Sequence, residues 1–176
     1  AIAKFAYEQM DDGLKARIDA LLRKHPHYDD FLGVKKPNGP EAPEWTFMRA
    51  ATWSDWIRPA EKDPRGERVT KFHRPVDHYT NIPFIPTDVP ADFKPQVPDA
   101  DQHDVLSALK QRAAELANDY VAAEDKAVAL CWLNHLIGDL HHPLHAATMF
   151  SPTFPDGDRG GNLFAIRVNG VNWRLH

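Results

Sequence analysis

A single cysteine, Cys131, stands in the 176-residue chain. That excludes an internal disulfide and any zinc site built from several thiolates. No apolar stretch runs longer than Ala127 to Leu133, far short of the roughly 18 residues a membrane span needs. Cationic excess is lacking too, since 21 basic against 25 acidic side chains leave a net charge of −4. A broad basic face for duplex nucleic acid is therefore not expected, although a local positive site is compatible with this balance. The hydrophobic share of 43% and the charged share of 26% are those of globular chains, which excludes disorder and collagen-like repeats. A chain of this size buries roughly 70% of its unfolded surface, so one domain over residues 1–176 is expected. No signal peptide is read at the start, where no charged segment precedes an apolar one. The first apolar pattern begins without a capping residue, and the chain closes inside a hairpin strand. Both ends are expected to continue in a longer parent protein.

What the chain has in quantity is histidine, ten in all, four of them between His135 and His145. Residues 1–24 read as helix in one or two pieces, with Gly13 as the expected interruption and His25-Pro26 as the end. Residues 31–44 are a loop by composition. A helix is expected from Pro43 to about Arg58, with proline in its first turn, where the missing N–H costs nothing. Residues 59–102 carry eight prolines and read as a long irregular segment, which in a compact domain points to a functional surface or lid. From Asp104 to about Leu140 the spacing is helical, with a stripe through Val105, Leu109, Ala113, Leu116 and Tyr120. A second buried line runs through Val128, Cys131 or Trp132, His135 and Asp139. Pro143 stops this helix, and Asn169-Gly170 between two apolar runs predicts a hairpin. The expected fold class is all-α with one small β-hairpin near the C-terminus.

His135 and Asp139 are four apart, hence on one face of an apolar helix, where both polar groups need partners. A core histidine bonded to Asp139 is the simple account of that pair. His145, just past the Pro143 break, shifts the balance toward a metal site, because imidazole nitrogen and carboxylate oxygen suit zinc. Asp55 and Arg58 lie three apart beside Trp53 and Trp56, where an ordinary helix ion pair is the plain alternative. His78 lies in the irregular segment and by itself reads as a surface histidine. His25, His27, His73 and His103 are also expected at the surface, and His141 and His142 solvated or behind the ligands. Cys131 is expected buried and inert.

Four segments together carry a resemblance: Trp53-Ser-Asp55-Trp-Ile-Arg58, His78-Tyr79-Thr-Asn81-Ile-Pro, His135-x3-Asp139-x5-His145 and Arg159-Gly160-Gly161-Asn162. In this order they are similar to the zinc-dependent single-strand nucleases of the fungal S1/P1 and mung bean type, in one superfamily with bacterial phospholipase C. The resemblance implies a mainly helical fold holding three zinc ions. Asp55, His78, His135 and Asp139 would hold one ion, with Asp139 reaching a second, and His145 and His176 would hold the third. The family's further ligands precede Ala1 and lie four residues beyond His176, so the chain is expected to be part of a longer enzyme.

Zinc neutralises a phosphodiester and lowers the pKa of a bound water toward about 7. The resemblance thus implies hydrolysis of single-stranded DNA and RNA to 5′-phosphate products by a metal-bound hydroxide. Asp55 would orient that water and Arg58 clamp a phosphate oxygen. Tyr79 would stack a base, and Asn81 hydrogen-bond its edge. Fungal relatives carry phenylalanine and aspartate at these two positions, so an altered base preference is expected. The Arg159-Gly160-Gly161-Asn162 loop would shape the site's border or simply enter the hairpin. Secretion or periplasmic export, no stable membrane association and no obligate protein partner complete the expectation. Its rivals are a zinc phospholipase C and a metal-stabilised fragment without turnover.

Overall fold

The chain opens in helix α1, Ile2–Glu8, which follows Ala1 without a side-chain cap. Helix α2, Asp12–Leu22, starts at Asp11, whose carboxylate accepts the Leu14 N–H at 2.7 Å. The break between them therefore falls at this cap, and Gly13 lies inside α2. The computed structural model describes residues 1–59, 66, 71–97 and 103–175. These belong to two compact units, one of residues 1–75 and 107–138, the other of 76–106 and 139–176.

In the first unit a π-turn, Tyr28–Leu32, follows α2, and helices α3, Ala42–Ala50, and α4, Trp53–Trp56, come next. The single helix expected from Pro43 to about Arg58 is thus broken. Thr52 bends back at the junction, giving its hydroxyl to the Arg49 carbonyl at 2.9 Å, the local alternative to a continuing helix that threonine offers. Helix α5, Val105–Ala117, buries Val105 of the expected stripe and Ala108 outside it, while Leu109 and Leu116 are half-buried. Ala113 is exposed and Tyr120 is 99% exposed. The helix has already stopped at Ala117, and the Asn118 side chain accepts the Tyr120 N–H in a turn. Helix α6, Ala123–Leu140, buries Val128, Cys131, Trp132 and His135 of the expected line, and Leu136 beside it, while Asp139 at its end is half-buried. The core of the first unit gathers Leu22, Leu32, Phe47, Trp53, Ile57, Trp132 and Leu136, with the rings of Trp53 and Trp132 meeting edge to face at 6.2 Å. Cys131 is fully buried there, and burial drives its thiol pKa up.

In the second unit strand β1, Ile82–Phe84, pairs in parallel with β2, Ala147–Met149, in the register Ile82 to Ala147. The short helix α7, Pro143–Ala146, precedes β2, and His142 is extended, as the residue before a proline should be. Strands β3, Ala165–Val168, and β4, Val171–Arg174, form the expected hairpin around Asn169 and Gly170. Both turn residues have positive φ, 50° and 80°, as the mirror-image two-residue turn requires. The fold is mainly α, as expected, but it holds a second small sheet that the expectation of one hairpin omitted. Strand β1 is only three residues long, contains Pro83 and exposes all its side chains, so neither alternation nor burial marks it. No described helix is long and apolar enough to cross a membrane.

Candidate metal centre

In the first unit, Asp55 projects from α4 between two tryptophans. Trp53 and Trp56 are three apart and dock inward, which turns Asp55 outward, where its side chain is 50% exposed. Its Oδ1 lies 2.7 Å from Arg58 Nη2 and 3.8 Å from His135 Nε2. His135 is buried on α6, and its Nδ1 donates to the Ala51 carbonyl at 2.7 Å. A carbonyl oxygen only accepts, so Nδ1 carries a proton and Nε2 is the nitrogen turned toward Asp55. Nearby, Asn134 donates to the Phe47 carbonyl at 2.9 Å, a further link between α6 and α3.

In the second unit, His78 ends the 3₁₀ turn Pro75–His78 and is buried rather than at the surface as expected. Its Nδ1 lies 3.0 Å from Asp139 Oδ2. His145, on α7, donates from Nδ1 to the His78 carbonyl at 2.9 Å and stands 3.6 Å from Asp139 Oδ1. The Thr80 N–H returns a bond to the His145 carbonyl at 2.8 Å. Two segments far apart in sequence are thereby clasped side by side, and the β1–β2 pairing continues the clasp. His145, like His135, spends its Nδ1–H on a backbone carbonyl and keeps Nε2 for another partner. Metal-binding histidines ordinarily give the second ring N–H to a carbonyl or carboxylate, which fixes the tautomer and aims the ligand nitrogen. In each unit the imidazole nitrogens and a carboxylate are donor types that suit zinc.

The structure thus brings Asp55, Arg58 and His135 together in one unit, and His78, Asp139 and His145 together in the other. Tyr79, beside His78, is 39% exposed, and its carbonyl accepts the Val105 N–H. Asn81 is exposed and accepts the Thr148 hydroxyl on Oδ1 at 2.8 Å. His176 lies outside the described residues. His141 and His142 are exposed, with the His142 ring 5.2 Å from that of His145.

The loop Arg159–Asn162 has a structural reason for its glycines. Gly160 has φ +59°, and a Cβ there would overlap the Leu144 carbonyl oxygen, next to the His145 donor. Just before it, buried Asp158 accepts the Met149 N–H at 3.0 Å and so ties the loop to β2.

Sequence reading missed His25 and His27. Expected at the surface, they are 3% and 4% exposed. The Trp53 indole N–H donates to His27 Nδ1 at 3.0 Å, and the His27 backbone N–H donates to His25 Nδ1 at 3.0 Å. Burial, with the neighbouring His27 second, pushes the His25 pKa down to about 3. The available signal was indirect: a buried tryptophan needs an acceptor for its N–H, and His-Pro-His is the nearest source upstream.

The family model of the S1/P1 nucleases matches residues 1–176, and the chain belongs to the S1/P1 nuclease family. Its members are nucleases, hydrolases of nucleic acid, and are generally zinc-dependent and typically secreted. No curated protein matches the chain.

Proposed function

We propose that the protein is a zinc-dependent phosphodiesterase that hydrolyses single-stranded DNA and RNA to 5′-phosphate nucleotides, with residues 1–176 acting as one catalytic domain. In this reading Asp55, His78, His135 and Asp139 hold one ion, Asp139 reaches a second, and His145 with His176 serves a third. The observation that carries the reading is the orientation of the imidazoles. His135 and His145 each spend Nδ1–H on a backbone carbonyl and aim Nε2 as a ligand. Zinc in such a site acidifies water and neutralises the charge of a phosphodiester.

The chain's own residues do the rest. Asp55 orients the attacking water. Arg58, held against Asp55 at 2.7 Å, has guanidinium N–H groups for a non-bridging phosphate oxygen. Tyr79 offers a partly exposed ring on which an unpaired base can stack. Bases in a duplex are already stacked, so this favours single strands. The Asn81 amide reads a base edge while Thr148 fixes its oxygen. Export from the cytoplasm fits a family that is typically secreted.

The test is hydrolysis of single-stranded DNA by this chain before chelation, after it, and after zinc is restored, with phosphatidylcholine as a parallel substrate. Nuclease activity that disappears and returns with zinc supports the reading. Cleavage of the lipid alone would replace it by a phospholipase C.

A further inference from the structure

Helix α4 is too short to hold itself. It has four residues, no side-chain bond at its N-cap, and one turn's worth of backbone bonds, whereas isolated helices need about 12–15 residues to be even marginal in water. Its orientation must come from its two tryptophans, and both rest on the segment that starts at His25. Trp53 is fully buried, gives its indole N–H to His27 Nδ1 at 3.0 Å, and meets the His25 ring edge-on at 4.6 Å. Trp56 lies edge-on to the His27 ring at 5.4 Å and stacks on Phe31 at 4.7 Å. His27 therefore touches both tryptophans that flank the Asp55 position.

The His27 ring is itself fixed from behind. His25 Nδ1 accepts the His27 backbone N–H at 3.0 Å, and the π-turn that follows bonds Leu32 N–H to the His27 carbonyl at 3.2 Å. Since His27 Nδ1 accepts from the indole, this imidazole is neutral with its proton on Nε2. His25, which accepts on Nδ1, is the same tautomer, and its low pKa keeps it neutral across the physiological range. Neither histidine is among the residues assigned above to the phosphodiester chemistry.

We propose that His27, with His25 behind it, is a positioning residue that sets the Asp55 carboxylate for zinc through the Trp53 N–H···Nδ1 bond. The inference rests on the reading of Asp55 as a zinc donor. Removing the acceptor leaves a buried indole N–H unsatisfied, lets the four-residue helix turn, and misaims its carboxylate. Outer partners of metal ligands commonly change metal affinity by about 10–100-fold, which is the scale expected here.

The experiment is zinc affinity and stoichiometry, by competition with a chromophoric chelator well below the melting temperature, for four variants beside the native chain. His27→Phe keeps a ring but has no acceptor. His27→Asn places a side-chain oxygen near the Nδ1 position and is the conservative rescue. Trp53→Phe removes the donor from the other side and serves if His27→Phe does not fold. Asp55→Asn reports on the donor itself. The expected result is at least about a tenfold loss of affinity in the two phenylalanine variants, most of it restored in His27→Asn. Lower melting temperatures with unchanged zinc affinity would make the pair purely structural and overturn the proposal. Equal losses in His27→Asn and His27→Phe would overturn it as well. If Asp55→Asn binds zinc like the native chain, the metal reading of Asp55 fails and the proposal falls with it. If Asp55→Asn weakens zinc while the phenylalanine variants do not, only the positioning role fails.

Discussion

The two units steady the proposed ligand residues by different physics. In the first, Asp55 and His135 stand on helices, and what steadies them is buried aromatic packing: Trp53, Trp56, Trp132, Phe31 and the two histidines His25 and His27. In the second, His78 and His145 sit on a 3₁₀ turn and a four-residue helix, too small to own a core. There the steadying comes from hydrogen bonds between segments more than 60 residues apart in sequence, His145 to the His78 carbonyl and Thr80 to the His145 carbonyl. Packing is non-directional, whereas a clasp of a few bonds depends on the alignment of particular backbone groups. The lesson is that a donor's stability is decided by what stands behind it, and that a helix is only one way to provide it.

The comparison can be broken most severely at a donor. His135→Ala removes the imidazole and its edge-on contact with Trp132 at 6.5 Å while keeping the Trp53–Trp132 contact, so loss of bound zinc and of nuclease activity to background is expected with the helical circular dichroism retained. Full activity in that variant would remove His135 from the site.

Gly160→Ala tests the clasp. The left-handed backbone alone costs about 1–3 kcal/mol, and the added Cβ also meets the Leu144 carbonyl, so the second unit must give. A lower melting temperature together with reduced zinc content is expected, and a variant indistinguishable from the native chain would show that the clasp is not rigid.

A third test uses pH on the aromatic side. His25 titrates near its ordinary value of 6.5 when unfolded and at about 3 when folded. Between these values the unfolded chain binds the extra proton, so stability falls as pH drops, by at most about 1.4 kcal/mol per pH unit. The stability lead of the native chain over His25→Asn, measured by urea unfolding, should therefore shrink between pH 6 and pH 4 with that slope. A lead independent of pH would mean that His25 is not held neutral by burial.

The smallest expected effect is at Tyr79, which lies beside the clasp but is partly exposed. Tyr79→Ala should weaken binding of a single-stranded oligonucleotide by about 1–3 kcal/mol per stacked base and leave zinc content as it was. Unchanged affinity would reduce Tyr79 to packing.

Much of this was legible in the residues. The helix carrying His135 and Asp139 follows from its apolar spacing, its end from Pro143, and the hairpin from Asn169-Gly170. The segments around Asp55, His78 and His145 carry the family resemblance by identity and order alone. Three features were not legible. The kink at Thr52 depends on a hydroxyl choosing a carbonyl over solvent, and propensity does not decide that. Strand β1 exists because β2 lies beside it, and its exposed three residues hold no period of their own. His25 and His27 look polar and surface-bound, because only the fold reveals that Trp53 needs their nitrogen.

By itself, then, the sequence determined the family and the helical class, since these rest on residue type and short-range spacing. Only the tertiary structure decided which nitrogen of each imidazole carries its proton, why Gly160 admits no side chain, and what stands behind Asp55. Each of those depends on a partner distant in the chain, a carbonyl or an indole N–H. Local pattern holds no information about such a partner until packing brings it within hydrogen-bond reach.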